Sequence, residues 1–496
     1  MPGIKSLAKD TAIYGVSSIV GRILNWCLEP LYTIVFPAAE YGVVTFVYSV
    51  VAVALLVLTY GMETGFFRFA NHDRWPNPME VYSTALISLA TTSTAFVVLV
   101  FAFLSPVSRW MECEGHESFV AMMALCVAMD AFLALPFSYL RYKKRALRFA
   151  TIRLVNIGIN IGLNLFFILL CPWLMKNAPA TVDWFYLPDF GIGYIFLANL
   201  LATCVNFVMM IPELRGFPWL FNKQLLREMI VYSAPLLVLG VAGIMNQTID
   251  KILYPTLAAD SGDALEGLGI YGANYKIAII MVMFIQAFRF AYEPFIFAKN
   301  KGEGQEQRLK TYIDAMKYFV LFALIIFMGV MFYLDFIRYF ISPKYFSGLK
   351  VVPIVMAAEL FFGIFFNLSL WYKLTDRTVW GAWFSLFGLA ITLGLNALLV
   401  PRIGYMGCAW AAFASYGCMM LASYFIGQAK FPINYHVGRL ASYVVVAAVL
   451  YCVGMYCLTP VAWVNYIIRF FIIAAFIGLI AWREGIPLPG HKTRKA

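Results

Sequence analysis

Residues 162–164 read Gly-Leu-Asn, and residues 394–396 read Gly-Leu-Asn again, 232 positions later. Three further matches keep the same order. Tyr41 and Gly42 return as Tyr271 and Gly272, and Tyr142 and Lys143 as Tyr372 and Lys373, both at an offset of 230. Ile192, Gly193 and Tyr194 return as Ile403, Gly404 and Tyr405 at 211, shorter because the first copy carries about twenty extra residues, Cys171 to Pro188, between its last two expected helices. Chance supplies any one such match. Four in order, each at the same place in an apolar run or loop, mark one unit used twice, and duplicated helical halves are how many secondary transporters make a path at the repeat interface.

The unit belongs in a membrane. Of 496 residues, 62% are apolar and 13% charged, against roughly a quarter charged in soluble domains. About 20 apolar residues cross the hydrocarbon core as a helix, and fourteen such stretches run from 11–36 to 461–482. Residues 1–220 would form one six-helix bundle, 221–430 a second, and 431–496 an added helix pair with a tail. Six helices per copy keep both copies in one orientation, so their pseudo-twofold axis should run along the membrane normal. The expected fold is an all-α polytopic membrane protein with 14 transmembrane helices.

Loop charge sets the orientation. The net charge of +11 comes from short basic loops such as the one holding Arg141, Lys143, Lys144, Arg145 and Arg148, whereas opposite-side loops hold only Arg109, Lys176, Arg338, Lys344, Lys350 and Arg402. Lys and Arg gather on the cytoplasmic side. Both termini are therefore expected there, and the charge does not call for a nucleic-acid partner. The first apolar run has no small-residue cleavage site after it and is expected to stay as the first helix. Nine cysteines are scattered without a CxxC pair or a His at ligand spacing, so no disulfide framework, metal or cofactor is expected. No nucleotide-binding motif appears. A membrane polymerase or glycosyltransferase usually displays a large outer loop or an acidic catalytic loop, and neither is present, so the chain does not read as an enzyme.

A charge at mid-membrane costs roughly 2.5–3.5 kcal/mol on insertion scales, so each one asks for a reason. Most fall in the first two helices of each copy: Arg22 and Glu29, Glu63, Asp250 and Lys251, then Lys276, Arg289 and Glu293. Their depths would let them line a continuous polar path, with Asn25, Asn246, Gln247 and Asn274 adding neutral hydrogen-bonding groups. Two readings stand side by side. Arg289 and Glu293 at i,i+4, or Arg22 and Glu29 on one face, can be structural ion pairs; alternatively, cations in a cavity suit a phosphate or pyrophosphate, for which Arg offers bidentate contacts. On the second reading Arg22, Asn25, Lys251, Lys276 and Arg289 are the substrate-binding candidates, and Glu63, Asp250 and Glu293 the ion- or proton-coupling candidates. Asp130, Glu359 and Arg469 stand apart, the last placed to meet a lipid head group or to snorkel. Gly61, Gly65, Pro235, Gly240, Gly243 and Pro294 read either as close packing or as hinges.

The stretch Gly15 to Tyr32, with Gly21, Arg22, Asn25, Pro30 and Leu31, followed by Glu40, Tyr41 and Gly42, resembles the opening of polysaccharide-biosynthesis flippases of the Wzx type. Residues 61–71 (GMETGFFRFAN), 287–297 (AFRFAYEPFIF) and 401–410 (PRIGYMGCAW) are similar to further segments of that family. It shares a superfamily with multidrug and toxin extruders and lipid II flippases. The resemblance implies two six-helix bundles around a central cavity, with a last helix pair sheltering a lipid tail. It also implies a polyprenyl-pyrophosphate-linked oligosaccharide as substrate, flipped from the inner to the outer leaflet of a bacterial cytoplasmic (inner) membrane by alternating access for lipopolysaccharide or capsule synthesis. Polysaccharide polymerase and glycosyltransferases would be its partners. Cavity arginines hold the pyrophosphate in such flippases, and Arg22 alone matches that role; Lys251, Lys276 and Arg289 are placed by depth and charge. The alternatives are an ion-coupled multidrug or organic cation exporter, a branch that usually has twelve spans and an acidic site, and a lipid II flippase.

Overall fold

The computed structural model describes residues 15, 17–215, 219–258, 263–299, 305–375, 377, 379–456 and 459–485, and among these there is no strand. The membrane helices, numbered in chain order, begin with α1 (17–35), α2 (Ala38–Phe69), α3 (Pro78–Ala102), α4 (Glu117–Tyr142), α5 (Ala146–Asn177) and α6 (Gly193–Leu214). The second set is α7 (Lys223–Leu257), α8 (Ala264–Lys299), α9 (Gln305–Phe332), α10 (Val351–Lys373), α11 (Val379–Ile403) and α12 (Tyr405–Lys430). Two more follow, α13 (Val437–Tyr456) and α14 (Ala462–Glu484). Thirteen of them are long and apolar enough to cross a membrane. The fourteenth, α1, is described from residue 17 and is interrupted at Cys27 and Leu28, ahead of Pro30. Helices are the form such a chain can take in lipid, where each backbone N–H and C=O must find its partner inside its own segment.

Two local features differ from a plain reading of the sequence. α2 breaks at Tyr60 and Gly61, whose φ of 72° suits a residue without Cβ, and restarts at Met62. α5 runs past its expected end through a π turn at Phe166–Leu170 into Cys171–Asn177, so part of the insertion expected as loop is helix. Pro172 comes just after the π turn, where the regular i to i−4 ladder is already interrupted.

The doubling is visible contact by contact. α4 packs on α6 as α10 packs on α12, α5 on α6 as α11 on α12, and α2 on α4 as α8 on α10. In the first half Asn160 of α5 donates to Asn25 Oδ1 of α1 at 3.5 Å; in the second, Thr392 of α11 donates to Asn246 Oδ1 of α7 at 3.2 Å. Asn160 and Thr392 differ by 232, the Gly-Leu-Asn offset, and Asn25 and Asn246 by 221. That same 221 relates Glu29 to Asp250, and each carboxylate accepts from a repeat-related tyrosine: Tyr41 to Glu29 at 2.5 Å and Tyr271 to Asp250 at 2.7 Å.

The halves meet along α2 and α8. A Cβ on Gly42 would run into the Leu265 carbonyl, and one on Gly269 into the Ala38 carbonyl, so this crossing needs glycine on both helices. Towards the far end of α2, Gly61 and Gly65 lie against Ser233 of α7, whose Oγ donates to the Gly61 carbonyl at 3.3 Å. The added pair rests on α9. Arg469 of α14 neither meets a head group nor snorkels: it is 4% exposed and donates to the Gly454 carbonyl at 3.1 Å and the Phe332 carbonyl at 2.7 Å, tying α14 to α13 and α9. Both carbonyls lie in the last turn of their helices, where no intrahelical N–H reaches them, and the guanidinium fork fills them.

Candidate functional site

The site starts from one strip of α1. Asn25 meets α5, while the Trp26 indole donates to the Lys276 carbonyl of α8 at 2.8 Å. At 100° per residue Arg22 lies between those two directions, three and four residues earlier. Its opposite side carries Val20, Ile23 and Leu24, all exposed and apolar as lipid requires. Arg22 therefore faces the space bounded by α5 and α8, between the halves. It is exposed, and among the described residues no hydrogen bond or ion pair engages its guanidinium.

α5 presents a matching strip. Ile157 packs on Gly21, Asn160 reaches Asn25, and Asn164 accepts from Tyr32 at 3.0 Å. One turn before Ile157 on that strip stands Arg153, exposed, with its guanidinium 4.2 Å from the centre of the Phe137 ring and within electrostatic reach of Asp130 and Glu63. Beside it the Glu63 carboxylate takes Arg141 at 2.7 Å and the Ser138 hydroxyl at 3.0 Å. The α1 and α5 strips thus carry two exposed arginines, Arg22 and Arg153, the latter over the Phe137 ring, with acids and amides near them.

The opposite face is shut. Lys276 of α8 pairs with Glu29 of α1 across the halves, and Glu29 also holds Tyr41. Over this pair lies the turn Pro343–Gly348: the Tyr345 hydroxyl donates to the Phe36 carbonyl at 3.0 Å, and Asn274 to the Tyr345 carbonyl at 2.8 Å. Burial and the nearby Glu40 and Glu29 carboxylates push the Tyr345 phenol up, so it stays a neutral donor. Burial lowers the Lys344 amine, and Glu40 opposes the effect.

Residues 7–298 match the family described as Polysaccharide biosynthesis protein. The chain belongs to that family. Its fold is similar to that of the lipid II flippase MurJ in an inward closed conformation, with a TM-score of 0.73 at 13% identity over 96% of this chain and 99% of that one. It is also similar to an inward-facing multidrug resistance MATE family transporter of the MOP superfamily, with 0.66 at 12% identity over 85% and 96%. An outward-facing MATE transporter gives 0.55 at 13% identity over 88% and 96%. No curated protein matches the chain in sequence.

For this member of the polysaccharide biosynthesis family, the expected continuous ladder needs correction. Lys251 and Asp250 do not reach the interface. Their side chains are 10% and 6% exposed and joined at 3.2 Å inside the second half, where Tyr271 donates to Asp250 and the Lys251 amine lies 4.1 Å from the Tyr275 ring centre. Glu359 is not isolated either, since Tyr275 donates to it at 2.8 Å. Lys276 is committed to Glu29, and Arg289 turns to its own half, 4.1 Å from the Phe366 ring centre. The side chain of Glu293 lies outside the described residues. Arg153 was not among the expected candidates, although its charge sits inside the fifth apolar span. Removing one partner of a buried ion pair costs about 3–5 kcal/mol, whereas removing both is far milder. Lys251→Met should therefore lower the melting temperature of the detergent-solubilised protein more than Asp250→Asn/Lys251→Met does; equal losses would contradict the closed-pair reading.

Proposed function

We propose that this protein flips a polyprenyl-pyrophosphate-linked oligosaccharide from the inner to the outer leaflet of the cytoplasmic membrane by alternating access. The observation that carries the reading is Arg22: an exposed guanidinium with no hydrogen bond or ion pair among the described residues, on the strip of α1 facing the space between the halves. With Arg153 it supplies two delocalised cations at a protein interface, the chemistry that holds a pyrophosphate. Asn25 and Asn160 offer amides to sugar hydroxyls. The halves, residues 1–220 and 221–430, act as bodies that part on one face as they close on the other, while the polyprenyl chain stays in lipid. Both termini lie in the cytoplasm.

Of the coupling candidates Glu63 fits best, because its side chain is 40% exposed and its hold on Arg141 ends on protonation; Asp250 is shut inside the second half. One charge crossing 100 mV is worth about 2.3 kcal/mol, enough to bias such a cycle. Deleting the gene should leave lipid-linked oligosaccharide on the inner leaflet and remove the surface polysaccharide, and the intact gene should restore it. Normal polysaccharide with increased drug sensitivity in the deletion strain would instead make the protein an exporter of organic cations.

A further inference from the structure

The flank of α13 turned away from α14 does not close against the second half. Between it and α10 and α12 run two apolar grooves of about 460 and 310 Å³ that share Ile364, Met420 and Val444. The second opens, through Tyr435 and Leu440, into a cavity of about 790 Å³ at the ends of α9 and α13 where the chain enters them. The walls of that cavity carry both signs: Glu306 and Asp314 against Lys310, Lys317, His436 and Arg439. Part of this charge is already used, Lys317 pairing with Asp314 at 3.0 Å. Glu484 at the end of α14 takes Lys317 at 2.8 Å, Arg439 at 2.8 Å and the Tyr443 hydroxyl at 2.5 Å, and this network fixes the cavity floor. Glu306, Lys310 and His436 remain, with no side-chain hydrogen bond or ion pair among the described residues.

From the geometry we infer that this groove and cavity hold one resident phospholipid with an amine-bearing, zwitterionic head group. Its phosphate lies by Lys310, His436 and the outer side of Arg439, its ammonium by Glu306, and an acyl chain runs up α13. From Val437 to Tyr451, the ends of the grooved stretch, the helix rises about 21 Å at 1.5 Å per residue, somewhat more than half of a hydrocarbon core of about 30 Å. That is the depth one leaflet's acyl chain needs. Walls that carry acids as well as bases favour a zwitterion over an anionic lipid, because a second negative charge would face Glu306. None of the lining residues belongs to α1, α2, α7 or α8, so the occupant is not cargo on the path between the halves. It would fill the gap that lets α13 and α14 hold to α9, and the inference stands whatever the cargo is.

The whole protein is reconstituted in vesicles of equal parts phosphatidylethanolamine and phosphatidylglycerol, extracted gently, and weighed with its bound lipids by native mass spectrometry. Wild type is expected to retain one phosphatidylethanolamine. Lys310→Glu, an exposed change, should cut that retention about tenfold, the effect of one charge-assisted contact. Val444→Trp, which fills the groove, should do the same by a separate route while α14 stays docked. Retention of phosphatidylglycerol in its place overturns the assignment, as does retention that neither variant changes.

Discussion

Arg22→Ala is expected to lower polysaccharide export at least a hundredfold while the protein stays in the membrane at its normal amount. Charge-assisted hydrogen bonds contribute about 1.5–3 kcal/mol each, and a guanidinium meets a phosphate with two in parallel. Losing about 3–6 kcal/mol of head-group binding is a factor of roughly 10² to 10⁴. The fold should not suffer, because no described protein group bonds to Arg22 and none is orphaned by its removal. Arg22→Lys keeps the charge and loses the fork, so it should fall between. Measured as surface polysaccharide against membrane protein, normal export from Arg22→Ala would take Arg22 out of the mechanism.

The second large effect is expected from Gly269→Leu. A side chain here meets the Ala38 backbone, which no rotamer avoids, so α2 and α8 must separate where the halves are shut. Transport should fall to background. In a background without the native cysteines, a Thr45→Cys thiol beside Gly272 in the same seam should react with a membrane-impermeant maleimide about tenfold faster in the Gly269→Leu protein. Gly243→Leu is the control. It lies in α7 with nothing within 4 Å of its Cβ position, and it should leave both transport and labelling unchanged. Equal labelling in wild type and Gly269→Leu would mean that the seam is not what shuts this face.

The sequence shows the doubling clearly because the repeated residues do work in both copies. The asparagine of each Gly-Leu-Asn, Asn164 and Asn396, is fully buried with its amide bonded back to the preceding turn. Tyr41 and Tyr271 bind equivalent carboxylates. Glu29 and Lys276, both read from the sequence as charges in the first two helices of each copy, pair with each other across the halves. Direction around the helix was not legible, since one residue turns a side chain by about 100° and only the packing partners say which way is inward. Lys251 points into its own half, whereas Arg22 lies on the strip of α1 between Asn25 and Trp26. Arg153 escaped because it follows Arg145 and Arg148, so its charge reads as the tail of a basic loop, although the helix has already begun at Ala146.

A cross-link through the seam tests the account most directly. A Cβ on Gly272 would lie 3.2 Å from the Thr45 Cβ, close to the roughly 3.5–4.5 Å that a disulfide spans. Thr45→Cys/Gly272→Cys, again without the native cysteines, should bond the halves together on oxidation. In proteoliposomes carrying a fluorescent polyprenyl-pyrophosphate oligosaccharide, the oxidised protein should stop flipping and a reductant should restore it. Flipping at the full rate with the bond intact would show that the cargo does not pass between parting halves.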